Sequence, residues 1–103
     1  MLLIREVFHC KPGKVRPMIE KSKAMARISE KSGWGKMKIL TDFAGSQYWT
    51  IVYEMEVESM QAFEEMMKSG GGSEEDMKEM EKIMEGYHDL IDHGHREIYK
   101  IEN

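Results

Sequence analysis

Alternating apolar and polar positions predict four β-strands along the chain. The clearest is 47–57, where β-branched and aromatic residues dominate and successive side chains of an extended chain point to opposite faces. One face of this strand carries Trp49, Ile51, Tyr53 and Met55, and the other carries Tyr48, Thr50, Val52 and Glu54. The remaining strands are predicted at 2–10, 36–43 and 95–101. Because both faces of 47–57 are substantial, we expect this strand to be central and covered on both sides.

Apolar residues spaced three and four positions apart predict three helices. The first covers 14–31, and Pro17 is tolerated there because it falls in the first turn. The second begins at the Glu58-Ser59 start signal and runs through Lys68, and the third runs from the N-cap Ser73 to about Ile91.

Glycines mark the breaks between these elements. Gly33 is predicted to close the first helix in a left-handed conformation. The short segment 44–46 predicts a hairpin that pairs the second and third strands antiparallel. The three glycines at 70–72 leave the backbone little restraint, so we expect 69–73 to be a mobile hinge and a lid at a cleft mouth.

The order of elements predicts an α+β, ferredoxin-like βαββαβ fold. In this fold a four-stranded antiparallel sheet carries both helical segments on one face. The other face would leave an apolar and aromatic surface in water, so we expect a homodimer in which two sheets pack face to face. A chain of 103 residues is long enough for one domain, which we expect to span 1–103.

Composition narrows the cellular setting. The net charge of -4, with positive side chains interleaved among acids, argues against nucleic acid as a partner. No segment approaches the roughly 20 apolar residues of a membrane-spanning helix. The start of the chain lacks the pattern of a secretory signal, and Cys10, the one cysteine, cannot form an internal disulfide. These features predict a cytoplasmic protein.

Methionine is unusually frequent, with 11 residues in the chain, and six of them crowd the helical second half: Met60, Met66, Met67, Met77, Met80 and Met84. A flexible thioether fills irregular gaps in a core, but it also suits an adaptable apolar pocket or partner surface. The spacing at three and four positions favours core filling.

Three segments resemble the dimeric α/β-barrel superfamily, which includes antibiotic-biosynthesis monooxygenase-like and NIPSNAP-like proteins. They are Lys11-Pro12-Gly13-Lys14-Val15 after the first strand, the strand Tyr48-Trp49-Thr50-Ile51-Val52-Tyr53-Glu54, and the closing strand Arg96-Glu97-Ile98-Tyr99-Lys100-Ile101. The resemblance implies a homodimer and a cleft between the helices and sheet of each subunit. Members include haem-degrading and quinone-forming monooxygenases, isomerases and many proteins without an assigned activity, so the fold does not select a function.

The chain departs from the haem-degrading members of that superfamily. Those members use an asparagine on the first strand and a tryptophan on the third. Trp49 matches the tryptophan, but the first strand here has no asparagine. Haem degradation is therefore less favoured than other activities.

Four residues are candidates for a site in the cleft between the first helix, the last helix and the sheet. His9 is the candidate catalytic residue because histidine exchanges protons near neutral pH; the alternative is a half-buried histidine bonded to a neighbouring strand. Trp49 and Tyr99 are candidate ligand-binding residues, since each offers an apolar body with one hydrogen-bonding group. His88 is a third, placed at the cleft edge where the resemblance implies an axial ligand of haem-binding members.

His93 and His95 form a possible metal half-site with Asp92 or Glu97, although a polar surface turn explains them as well. No fixed metal motif is present, and we predict no metal and no cofactor. Two functions stay open: a non-catalytic binding or stress-related module, and a cofactor-independent monooxygenase or isomerase acting on a small apolar or aromatic ligand. The sequence does not decide whether the protein is an enzyme.

Overall fold

The computed structural model describes residues 1–31, 33, 35–69 and 73–103. Its elements are β1 (Leu2–Cys10), α1 (Val15–Lys31), β2 (Lys38–Thr41), β3 (Thr50–Val57), α2 (Met60–Ser69), α3 (Glu74–Met84), a 3₁₀ turn (Tyr87–Asp89) and β4 (Ile91–Lys100). Within these residues the strands form one antiparallel sheet in the order β2-β3-β1-β4. The predicted α+β, ferredoxin-like fold is confirmed.

The helices pack on one face of the sheet, which buries the larger apolar residues of β1 and β3. Ile51 and Tyr53 on β3 form a buried cluster with Met18 of α1 and with Cys10. A second cluster joins Ile4, Val57 and Phe63 nearer the other end of the sheet. The predicted grouping of Ile51, Tyr53 and Met55 on one face of β3 is confirmed, because these residues pair with Phe8, Glu6 and Ile4 on the same side.

The opposite face of the sheet, here called the open face, is covered by no described helix. It carries Thr50, Val52 and Glu54 of β3. The expectation of an aromatic surface there is wrong for Tyr48, because this exposed residue precedes the strand instead of lying within it. Hydrogen-bonded charged residues occupy much of this face.

The start of β3 differs from the prediction, which placed it at 47. Trp49 has φ 60, a left-handed conformation that a continuous strand does not allow. The next residue, Thr50, is held by a hydrogen bond from its amide to the Asp42 carboxylate at 2.8 Å. The loop between β2 and β3 is therefore longer than the predicted hairpin.

The third helix ends earlier than predicted, at Met84 instead of about Ile91. Gly86 takes φ 80, which terminates the helical geometry and leads into the 3₁₀ turn. Tyr87, Leu90 and Ile91 keep an apolar spacing because they pack against the buried cluster from this turn. β4 consequently begins at Ile91, four positions before the prediction.

The predicted helix starts are confirmed by their hydrogen bonds. The hydroxyl of Ser59 accepts the Ala62 amide at 3.1 Å, and the hydroxyl of Ser73 accepts the Asp76 amide at 3.1 Å. Gly33 has the predicted positive φ, at 81. The glycines 70–72 of the expected hinge lie outside the described residues. No helix in the described ranges combines the length and apolar character needed to cross a membrane.

Candidate functional site

Cavities lie on both faces of the sheet. One, of about 170 Å³, lies between the helices and the sheet and is almost entirely apolar. Another, of about 420 Å³, lies on the open face, where charged and polar side chains line it together with the apolar Val7, Leu40 and Val52. These two cavities suit different ligands.

The cavity between helices and sheet, here called the methionine cavity, is lined by flexible apolar side chains from every layer of the fold. Its walls include Ile4, Met25, Met37, Tyr53, Met55, Phe63, Met66, Met67 and Met80. Thioether side chains are unbranched and polarizable, so such a wall adapts to ligands of different shape. The methionines of the second half therefore serve a cavity as well as filling the core.

Three polar side chains also reach this cavity: Glu6, Ser29 and Arg96. The Arg96 Nε donates a hydrogen bond to the Glu6 carboxylate, and the two residues are directly opposed on β4 and β1. The guanidinium carbon lies 5.1 Å from the centroid of the Phe63 ring. The methionine cavity thus has an apolar body and one ion pair, Arg96 with Glu6, whose guanidinium is held in place from two sides.

Imidazoles cluster on the open face, where His9 and His95 line the cavity and His93 lies beside His9. The His9 ring centroid is 4.5 Å from that of His93 and 6.2 Å from that of His95. The His9 Nδ1 lies 3.2 Å from the Thr50 hydroxyl. Among the described residues, no three His, Cys, Asp or Glu side chains are arranged to hold a metal ion.

Arg5 organises the centre of the open face. Its Nε donates to Glu54 at 2.9 Å and its Nη1 donates to Glu97 at 2.7 Å. Glu97 also hydrogen-bonds the His95 ring at 2.8 Å and accepts from the Tyr99 hydroxyl at 3.0 Å. The bond to His95, followed by that from Tyr99, lowers the pKa of Glu97. These contacts pair the Arg5 charge within the chain.

The structure places His9 on the open face, so the expectation that it borders the cleft beneath the helices is wrong. Its neighbours Phe8 and Cys10 point towards the helices and pack in the core. Side chains alternate along a strand, and His9 must therefore point the other way. Its catalytic role stays a prediction.

The other candidate residues do not join His9 in one site. Tyr99 shares its face but lies six positions beyond His93 on β4, a separation of about 20 Å along a strand. Trp49 is 43% exposed and lines a separate hollow beside Val15. His88 is exposed on the 3₁₀ turn, with its ring 4.0 Å from that of Tyr87. Their ligand-binding roles stay predictions.

The ion pairs across β1 and β4 went unrecognised in the sequence, although it contains a signal for them. An Arg-Glu pair occurs at 5–6 and again at 96–97. When two strands run antiparallel, identical dipeptides meet in reverse order, so Arg5 opposes Glu97 and Glu6 opposes Arg96. These two pairs point to opposite faces and supply the charged groups of both cavities.

We expect the free energy of unfolding to fall as the pH drops below about 6.5, the ordinary pKa of histidine. Burial, followed by repulsion from His93 and His95, lowers the pKa of His9, although Asp92 opposes this shift. Below the ordinary pKa the unfolded chain binds more protons at this position than the folded chain does. The stabilisation is therefore full above pH 6.5 and is lost as the pH falls through the folded pKa.

Denaturant titrations between about pH 5 and 8 would measure this dependence. His9→Gln should flatten the stability profile, whereas His88→Gln, which changes an exposed imidazole, should leave it unchanged. Equal profiles for the native chain and His9→Gln would show that His9 does not cause the dependence.

The fold is shared with solved structures of low sequence identity. An uncharacterized NIPSNAP domain protein from Burkholderia xenovorans superposes with a TM-score of 0.79 at 10% identity, over 99% of this chain and 95% of that chain. A NIPSNAP family protein of unknown function from Agrobacterium tumefaciens gives 0.73 at 16% identity, over 98% and 87%. An antibiotic biosynthesis monooxygenase gives 0.71 at 10% identity, over the full length of both chains.

No protein-family model matches the sequence, and no curated protein gives a significant match. The similarity is therefore one of fold, and at that level it confirms the predicted resemblance.

Proposed function

We propose that residues 1–103 form one domain that pairs with a second copy through the open face and binds a small apolar ligand in the methionine cavity. The observation that carries this proposal is the cavity itself, about 170 Å³ of apolar space beneath the helices. Protein interiors contain few voids larger than a water molecule. An apolar cavity of roughly 150 Å³ is already large enough to bind benzene. The size and the adaptable lining support ligand binding over simple core filling.

The chemistry of the lining favours binding over proton transfer. The histidines His9, His93 and His95 cluster on the other face of the sheet, and none of the described residues that line the methionine cavity is a histidine. Burial, with a smaller contribution from Asp42, raises the pKa of the Cys10 thiol, which makes it a poor nucleophile. A non-catalytic binding module is accordingly the first choice.

A cofactor-independent monooxygenase or isomerase is the second candidate. One solved structure of the same fold is named an antibiotic biosynthesis monooxygenase. An enzyme of this kind would act on a ligand held in the same cavity, so ligand binding is the first property to test for both candidates.

The residues of the open face support pairing with a second copy. Leu40 and Tyr99 are exposed there, with the partly buried Leu3 and Val52 beside them. Arg5 is already matched by carboxylates of its own subunit, so covering this face would not leave the Arg5 charge unpaired. The resemblance to a superfamily of dimers implies the same assembly. A buried free thiol at Cys10 suits a reducing compartment, and we place the protein in the cytoplasm.

Titration with toluene tests the proposed ligand site. We expect toluene to shift the methyl resonances of cavity methionines such as Met55 and Met66 in NMR spectra. Met66→Trp should fill the cavity and weaken toluene binding at least tenfold, because the ring occupies the same space. Met60→Trp is the matched control, since Met60 lies on the same helix but is exposed and outside the lining. Absence of any toluene-induced shift in the native protein would refute the binding proposal.

A further inference from the structure

The size of the methionine cavity limits its ligand to about one ring. Its 170 Å³ is close to the roughly 150 Å³ of an apolar cavity that accepts benzene. A haem is several times larger than this space. A monocyclic aromatic body matches both the volume and a lining of thioethers and the Phe63 ring.

The charged group at the cavity defines the other end of the ligand. Arg96 has five N–H donors. Within the described part of the chain, its Nε donates to the Glu6 carboxylate. The Phe63 ring contacts one face of the guanidinium and Glu6 holds its edge. A planar guanidinium fixed in this way is suited to bind a carboxylate through two parallel hydrogen bonds.

Arg5 shows that one guanidinium of this protein can bind two carboxylates. It lies on the same strand as Glu6 but points to the open face, where it binds two carboxylates at once, those of Glu54 and Glu97. Within the described residues, Arg96 forms an ion pair with one carboxylate, that of Glu6. Its side chain is 42% exposed, so it remains accessible to a second acid.

We infer that the ligand of the methionine cavity is a monocyclic aromatic carboxylic acid, with its ring among the methionines and its carboxylate on Arg96. This inference rests on the proposed function, because it requires that the cavity bind a ligand at all. It adds a preference for an anionic aryl compound over a neutral one. A carboxylate without a ring would gain little, since it leaves the apolar cavity unfilled.

Isothermal titration of the native protein with benzoate, toluene and acetate tests this preference. We expect benzoate to bind at least tenfold more tightly than toluene, and acetate to show no measurable binding. Arg96→Gln should lower the ratio of benzoate affinity to toluene affinity to about one. Arg96→Lys keeps the positive charge but lacks the paired N–H donors of the guanidinium, so it should give an intermediate affinity for benzoate. Arg27→Gln, at an exposed position of α1, is the matched control and should bind benzoate like the native protein.

The outcomes separate this inference from the proposed function. If toluene binds and benzoate binds no more tightly, the inference is wrong and the proposed function stands. The same holds if Arg96→Gln and Arg96→Lys both retain the preference for benzoate. If neither toluene nor benzoate binds, both the inference and the proposed function fail. Because the comparison of ligands uses the native protein, it does not depend on the folding of any variant.

Discussion

Replacing Ile51 by aspartate is expected to abolish folding. Ile51 is 0% exposed, near the start of β3 and within the cluster formed by Cys10, Met18 and Tyr53. Loss of a buried isoleucine side chain costs about 2–5 kcal/mol, and an unpaired carboxylate in the same place adds several more. The sum is comparable with the whole stability of an ordinary domain, roughly 5–15 kcal/mol. Circular dichroism should show no cooperative thermal transition for this variant.

Val52→Asp is the matched control because Val52 is the next residue along the strand and points to the open face. It should leave the monomer folded, since its side chain borders the cavity on that face instead of the core. If two open faces pack together as proposed, this variant should sediment as a monomer where the native protein sediments at twice the mass. A folded Ile51→Asp protein would contradict the assignment of faces. A dimeric Val52→Asp protein, or a monomeric native protein at micromolar concentration, would contradict the proposed interface.

The order of elements could be predicted because each long element has an unambiguous apolar period. β1 was predicted with its observed bounds, and α1 was placed within one residue of its observed start. Both segments end at residues whose backbone preferences stop them, the Pro-Gly turn after β1 and the glycine after α1. Local sequence and tertiary packing agree at these positions.

The errors occurred where apolar spacing continued past the end of an element. Tyr87 and Ile91 keep the period of α3 although Gly86 has already turned the chain. Tyr48 and Trp49 extend the β-like composition of β3 although Trp49 takes a positive φ that ends the strand. Tyr87 and Ile91 pack against the buried cluster, whereas Tyr48 and Trp49 are exposed before the strand begins. Composition alone does not reveal either placement.

The candidate site was harder to predict than the fold. Side chains alternate along β1, so His9 lies on the face opposite Phe8. Which of the two faces the helices cover depends on packing across the whole sheet. Methionines that line a cavity have the same spacing as methionines that fill a core, so Met25 and Met66 could not be assigned from periodicity. The repeated Arg-Glu dipeptide indicates the Glu6–Arg96 pair only if β1 and β4 are taken to be antiparallel neighbours in the register that the structure shows.

Raising the pH from about 10 to about 12 is expected to destabilise the protein through Tyr53. Its side chain is 5% exposed, and burial raises the pKa of the phenol from 10.0 to about 12. The Ser22 hydroxyl donates to the Met18 carbonyl at 2.6 Å, so the Tyr53 hydroxyl is the donor to Ser22. A neutral phenol is therefore what the core accommodates.

The loss of stability at high pH follows from the raised pKa of Tyr53. Above pH 10 the unfolded chain loses the phenolic proton while the folded chain keeps it, so stability is full below pH 10 and is lost as the pH rises through about 12. A difference of two pKa units corresponds to at most about 2.7 kcal/mol. Tyr53→Phe should remove this loss, and Tyr99→Phe, which changes an exposed phenol, should retain it. Cys10 has a raised pKa of the same sign and remains in both variants, so the difference between their alkaline profiles isolates Tyr53. Identical profiles for the two variants would mean that the Tyr53 phenol ionises as freely in the folded protein as in the unfolded chain, against its burial beside Ser22.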